Sequence, residues 1–155
     1  MSEKPATEKK YKSHVFRTSA RWTGERTWEM AGQADQAIAG GPPKQLGGEG
    51  DGWSPEDLLL ASVNSCHLAT FLGYCRRKGL EFISYESEIE GLLEHNGTTF
   101  VFTKITVRPR VVVKSEEDIE TARQYLHRAH ELCYMSNSVK AEVVVEPEVV
   151  AEQGG

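Results

Sequence analysis

The stretch that most limits how this chain can fold runs from Ser54 to about Lys78. Ser54 is a good N-cap. Pro55 suits the first helical position, where its missing N–H would be unpaired anyway, and Asp57 can answer the orphan donors of the first turn. Leu58, Leu59, Leu60, Val63, Leu68, Phe71 and Leu72 then leave almost no polar face, and a helix apolar on every side is normally buried. Cys66 lies near its middle. Around it on the helix are Ser62, Ser65, Ala69, Thr70 and Gly73, small residues that leave room for a second element, or a second subunit, to approach the sulfur.

A chain of 155 residues can bury one core without covalent staples, so a single domain over residues 13–147 is expected. The net charge of −5 and the absence of a basic stripe argue against nucleic acid as a partner. Met1 to Lys12 are charged and carry no apolar run, so residues 1–12 read as a disordered tail without a signal peptide; no stretch is expected to approach membrane-spanning length, and the expected compartment is the cytoplasm. There, three cysteines are small buried hydrophobes, ligands or redox centres rather than structural disulfides.

Around the central helix the pattern is largely that of strands. His14/Phe16 and Trp22/Gly24/Arg26/Trp28 alternate as a strand pair between His14 and Met30, with Thr23-Gly24-Glu25 as the turn or bulge. Gly40-Gly41-Pro42-Pro43 and the glycines from Gly47 to Gly52 form a loop leading into the helix. A phosphate cradle there is disfavoured, because the Lys-Ser/Thr of a P-loop is missing and Glu49 and Asp51 would repel the anion; close backbone approach explains the glycines. After Gly79, Phe82–Glu94 and Thr98–Val113 read as two strands joined at Asn96-Gly97. A second helix opens at Ser115 and runs to about Cys133, with Ile119, Ala122, Leu126, Ala129 and Cys133 on one face. Val139–Glu146 makes a last strand, and residues 148–155 read as a tail. Antiparallel strands with two helices define an α+β fold.

Cys66 and Cys75 are nine residues apart, half a turn out of phase and about 13 Å along the axis, so they cannot bridge. Cys66 and Cys133, on different helices and both facing inward, could come within disulfide reach of about 6 Å between Cα atoms. From the residues alone this pair is either two buried hydrophobes or a redox couple. A zinc site from His127, His130, Cys133 and Cys66-His67 is a weaker alternative, since no Cys-x-x-Cys pair exists and histidines in a last helical turn suit the dipole. A non-enzymatic alternative is a dimeric pocket protein, with Trp53, Phe71, Tyr74 and Met135 as walls.

Three stretches together resemble the OsmC/Ohr family, named for osmotically inducible protein C and organic hydroperoxide resistance. They are Ser54-Pro55-Glu56 with Leu58-Leu59 and then Cys66; Ala129-His130 through Cys133; and Ser136-Asn137-Ser138, with Leu46-Gly47-Gly48 as a fitting lead-in. The likeness covers roughly residues 14–146. It implies an intertwined homodimer in which antiparallel sheets wrap two central helices. It also implies reduction of organic hydroperoxides, with Cys66 as the peroxidatic and Cys133 as the resolving cysteine, an external dithiol as reductant, and no cofactor. Where many members carry proline after the second cysteine, this chain has Tyr134-Met135.

A buried thiol needs help to ionise at neutral pH. The resemblance assigns that role to an arginine of the N-terminal hairpin, for which Arg26 is the best match and Arg21 the fallback, and it assigns Glu56 to orienting the arginine. Ten helical residues place Glu56 about 15 Å from Cys66 along the axis, so either the helix breaks or Glu56 serves a partner subunit's cysteine. On its own, Glu56 is an ordinary first-turn carboxylate.

Overall fold

A computed structural model describes residues 11–153. Within the expected domain the chain divides at the Ser54–Pro55 bond into two compact units. The expected N-terminal tail, residues 1–12, lies outside the described residues except for Tyr11 and Lys12, which carry no regular structure.

The first unit is a three-stranded antiparallel sheet of β1 (Ser19–Gly24), β2 (Thr27–Ala31) and β3 (Ile38–Gly40), in that order. The expected hairpin is present, but its strands begin at Ser19, so His14 and Phe16 precede it. The register slips between Trp22 and Gly24, and the turn places Gly24 and Glu25 at φ 128° and 48°. Strand β3 was not expected. Its three residues are too few for alternation to reveal, and Gly40 is required because a Cβ there would lie 2.1 Å from the indole nitrogen of Trp28. Farther along, a Cβ on Gly48 would fall 1.9 Å from the Pro42 carbonyl oxygen. Close backbone approach therefore accounts for this loop.

The second unit begins with α1 (Pro55–Lys78), an unbroken helix with the expected limits. β4 (Phe82–His95) and β5 (Phe100–Val113) form a long antiparallel hairpin, its turn capped by Asn96 Oδ1, which accepts from the amides of Thr98 and Thr99. After a 3-10 turn at Glu116–Asp118 comes α2 (Ile119–Leu132), then β6 (Glu142–Val145) and β7 (Glu148–Ala151). Ala122, Leu126, Ala129 and Cys133 are fully buried, as their spacing requires.

Two expectations are corrected here. β6 and β7 both run parallel to β5, on Lys104–Val107 and Arg110–Val113 respectively, so the sheet is mixed; α2 supplies the crossover that a parallel neighbour needs. Residues 148–151 are also a strand and not part of a tail. Pro147 only separates the two short strands, and the β-branched pair Val149-Val150 continues the edge, with Val149 6% exposed. The fold is α+β all the same.

The buried stripe of α1 is Val63, His67, Phe71 and Cys75, spaced by four. Phe71 packs against Phe82 and Tyr85 at ring separations of 5.4 and 5.6 Å, within a cluster that includes Val111, Val113, Leu126 and Val149. The remaining faces are less covered than an all-apolar helix leads one to expect. Ser65, Ala69 and Leu72 are exposed, and Leu58, Leu59, Leu60 and Leu68 are half-buried. By length and composition alone, Pro55–Lys78 also meets the test for crossing a membrane, a test that the core helix of a soluble protein passes equally well, so the expectation that no stretch approaches that length is corrected. Phe71→Ala should cost about 3–5 kcal/mol by urea unfolding, because the cavity opens between α1, β4 and α2 where the neighbours cannot collapse.

Candidate active site

Cys66 and Cys133 are brought together by the packing of α1 on α2. Cys133 ends α2 with φ −67° and ψ 117°, and its Sγ lies 4.0 Å from the carbonyl oxygen of Val63, on the helical turn that precedes Cys66. The Cys133 thiol lies close enough to Cys66 for each to influence the other's ionisation. All three cysteines are free thiols.

The residues after Cys133 form a tight turn. Asn137 holds it: its amide donates to Cys133 O at 3.1 Å, and its side-chain Nδ2 donates to Glu131 O and Cys133 O at 3.0 and 2.8 Å. Ser138 closes the other side, its hydroxyl donating to Tyr134 O at 2.6 Å and its amide to Met135 O at 3.0 Å. Ser136 covers Cys133, with its amide 3.4 Å from Sγ, and its buried hydroxyl has no hydrogen-bond partner among the described residues.

The two thiols differ in acidity. Burial works to raise the pKa of Cys66, but the main chain of Met135, the Cys133 thiol and the main chain of Tyr134 outweigh it and bring the pKa below the ordinary thiol value, while the Thr70 hydroxyl donates to the Cys66 carbonyl oxygen at 2.8 Å. Burial raises Cys133 against the pull of Ser136, and the neighbouring Cys66 adds to the rise. Cys66 therefore ionises first, and Cys133 keeps the proton that it donates. Burial pushes Cys75 up to about 11, and it lies on the α1 stripe away from this pair.

The other expected site residues lie as follows. Arg26 stands beside the hairpin turn of the first unit and donates from Nη1 to Gly47 O at 2.9 Å. It lines a cavity of about 300 Å³ together with Thr23, Trp28 and the glycine loop. Arg21 is paired instead with Glu29 across the β1–β2 pair at 3.1 Å. Glu56 sits in the first turn of α1, and its Oε2 is shielded from solvent with no hydrogen-bond partner among the described residues. Such an atom has lost its water without replacing it, which is costly for an acceptor that can carry charge.

Among the described residues the zinc site does not assemble. His67 donates from Nε2 to Leu126 O at 3.0 Å and accepts at Nδ1 from the Tyr85 hydroxyl at 3.3 Å, so both nitrogens are occupied; burial keeps the ring neutral by lowering its pKa. Among the described residues, no group of three His, Cys, Asp or Glu side chains is placed to hold a metal. Of the walls suggested for an apolar pocket, Phe71 belongs to the core and Tyr74 packs edge-on against Tyr125 at 4.7 Å, while none of the four lines the 300 Å³ cavity. The residues that sequence reasoning missed are the main-chain donors of Tyr134 and Met135 and the clamp on their turn. Ser136-Asn137-Ser138 was the available signal.

An α+β chain that delivers one acidic and one proton-holding thiol from two helices to a single point is a thiol-pair protein. This chain belongs to the OsmC-like protein family, whose model matches residues 48–148. An uncharacterised Bacillus subtilis protein, YmaD, is 29% identical over 146 residues, covering 92% of this chain and 97% of that one. Among solved structures, an OsmC-like protein of unknown function from Vibrio cholerae superposes with a TM-score of 0.80 at 23% identity, covering 87% of this chain and 99% of that one. An organic hydroperoxide resistance protein from Legionella pneumophila superposes with a TM-score of 0.70 at 19% identity, covering 90% and 99%. At these identities the structural likeness establishes the fold.

Iodoacetamide labelling with peptide mapping should modify Cys66 first, with a midpoint below the usual value for a free thiol of about 8.5, then Cys133. Cys75 should stay unlabelled until pH approaches 11 or the protein unfolds.

Proposed function

We propose that the protein is a thiol-dependent peroxidase that reduces organic hydroperoxides, with Cys66 as the attacking thiolate and Cys133 as the resolving thiol. The observation that carries this reading is the contact between two free thiols of opposite acidity shift. Family membership and the names of the hydroperoxide resistance proteins that share the fold support it.

In this reaction the Cys66 thiolate attacks the distal oxygen of the hydroperoxide. The O–O bond breaks, the alkoxide takes a proton and leaves as the alcohol, and Cys66 becomes a sulfenic acid. The Cys133 sulfur then displaces the sulfenic hydroxyl as water, giving the Cys66–Cys133 disulfide, which an external dithiol reduces. No cofactor enters this sequence. Such thiol chemistry suits a reducing compartment such as the cytoplasm.

Arg26 is proposed to assist ionisation of the thiol, and Glu56 to orient it. The shielded, unpartnered Oε2 of Glu56 is the acceptor that a guanidinium would fill. Because α1 is unbroken from Pro55 to Lys78, about 15 Å of helix separates Glu56 from Cys66. That spacing favours a homodimer in which Glu56 serves the cysteine of the other copy. The exposed row Ser65, Ala69 and Leu72 supports the same assembly, for it leaves an apolar helix short of cover.

Peroxide consumption with a dithiol reductant, comparing a bulky organic hydroperoxide with hydrogen peroxide, tests the activity. Cys66→Ser should abolish it. Cys133→Ser should complete one attack and accumulate sulfenic or over-oxidised Cys66, while Arg26→Ala should slow the first step; each pKa unit by which the thiol rises corresponds to about 1.4 kcal/mol. Peptide mapping after peroxide should find Cys66 linked to Cys133 and Cys75 still a thiol. Undiminished turnover in Cys66→Ser would defeat the proposal.

Light scattering at micromolar concentration should give twice the chain mass, and a monomer would remove the role assigned to Glu56 across copies.

A further inference from the structure

His67 is fully enclosed on the buried stripe of α1, next in sequence to Cys66, and the thiol chemistry above makes no use of it. Its two ring nitrogens tie three elements together. Nε2 lies 3.0 Å from Leu126 O, a carbonyl in the middle of α2, and Nδ1 lies 3.3 Å from the Tyr85 hydroxyl on β4. A carbonyl can only accept, so the ring is the tautomer protonated on Nε2, which leaves Nδ1 to accept from Tyr85. An apolar side chain could fill the same space. It could not fix the height of one helix against the other, because burial is non-directional whereas a hydrogen bond weakens steeply as its partners shift or turn.

That height matters for the sulfurs. One turn before His67, the carbonyl oxygen of Val63 lies 4.0 Å from Cys133 Sγ. The first helix therefore meets the second at two levels: Val63 at the end of α2, and His67 at a carbonyl seven residues earlier, about 10 Å back along the axis. Cys66 lies between Val63 and His67 in the chain. A slip of α1 by one residue would carry Cys66 about 1.5 Å along the axis and about 100° around it. A disulfide tolerates little of this, since its Cβ atoms must come within about 4.5 Å. We propose that His67 is a positioning residue for the sulfur pair, setting Cys66 opposite Cys133 through its bond to Leu126 O and so determining how readily the disulfide closes. This deepens the peroxidase reading and rests on it for the use of that step, but closure itself needs no peroxide.

The experiment therefore uses oxidised dithiothreitol. The Cys66 thiolate attacks one sulfur of the cyclic disulfide; the Cys133 thiol then gives up its proton and displaces that sulfur, so the protein disulfide closes and the reagent leaves as the dithiol with the two electrons. The full-length protein is equilibrated without oxygen at graded ratios of oxidised to reduced dithiothreitol, and the Cys66–Cys133 disulfide is read by peptide mapping. His67→Leu should need a ratio roughly tenfold higher for half-closure, the loss of one buried hydrogen bond. His67→Gln, whose amide nitrogen can still donate to Leu126 O, should stay near the parent. Phe71→Leu, which loosens the core one turn farther along α1 and leaves the bond intact, should also titrate like the parent. A parent-like ratio in His67→Leu overturns the proposal, as does an equal shift in Phe71→Leu or in His67→Gln. Should His67→Leu lose its helical circular dichroism, His67→Asn, too short to reach Leu126 O, takes its place. The nitrogen-15 spectrum of the parent decides independently: a neutral ring protonated on Nε2 is expected, and one protonated on Nδ1 overturns the proposal. A parent that never closes the disulfide overturns it too, whereas one that closes it as expected yet consumes no peroxide defeats the peroxidase reading alone.

Discussion

The site depends on the bond between His67 and the second helix. Because α1 is apolar nearly all the way round, hydrophobic periodicity cannot choose which face turns inward. His67 chooses it. A neutral imidazole can be buried only if both nitrogens are satisfied, and Leu126 O and the Tyr85 hydroxyl do this at 3.0 and 3.3 Å. Leaving either nitrogen unpaired would cost about 1–3 kcal/mol, enough to disfavour a rotated helix. With His67 inward, Cys66 falls at the edge of the buried stripe, reachable from solvent yet beside the core. Leu126 also lies seven residues before Cys133, two turns or about 10 Å of helix. One hydrogen bond therefore fixes both the rotation of α1 and its height against the point where α2 ends.

Once the sulfurs meet, their difference comes from the backbone. Burial raises both thiols, and side chains alone give little reason for one to ionise before the other. The end of α2 breaks the tie, since the amides that follow Cys133 turn toward Cys66. Two interacting thiols titrate as a unit, so the first proton to leave belongs to the pair, and the geometry places the resulting charge on Cys66. The sulfur left protonated is the one held in the core, away from adventitious oxidants.

What was legible in the sequence was local. The limits of α1, the Asn96-Gly97 hairpin and the stripe from Ile119 to Cys133 follow from caps, turn chemistry and spacing, and all three stand as read. What was not legible was partnership over distance. Nothing within Glu142–Val145 says that it pairs parallel to β5, because that depends on where α2 delivers the chain. Pro147 looked like an end, yet it removes only one N–H, and the valines after it find the second half of β5. β3 is too short to carry a pattern. Within the candidate site, Cys66 and Cys133 were legible as two inward-facing cysteines on different helices, whereas the turn that follows Cys133 belongs to no residue type and could be inferred only through Asn137, which clamps it.

The exposed row Ser65, Ala69 and Leu72 flanks Cys66 on α1, so covering the helix and tuning the thiol are linked problems. Any element packed on that row strips water from the thiolate and pushes its acidity the wrong way, since burial already opposes ionisation. Small residues lessen the conflict by admitting a neighbour without large side chains crowding the sulfur. The fixed amides answer the rest, because donors built into the main chain keep their orientation when solvent is excluded and gain strength as the local dielectric falls. A thiolate held by side chains alone would have to reorganise them each time a substrate displaced water. A thiolate held by the main chain keeps its donors in place as solvent is excluded.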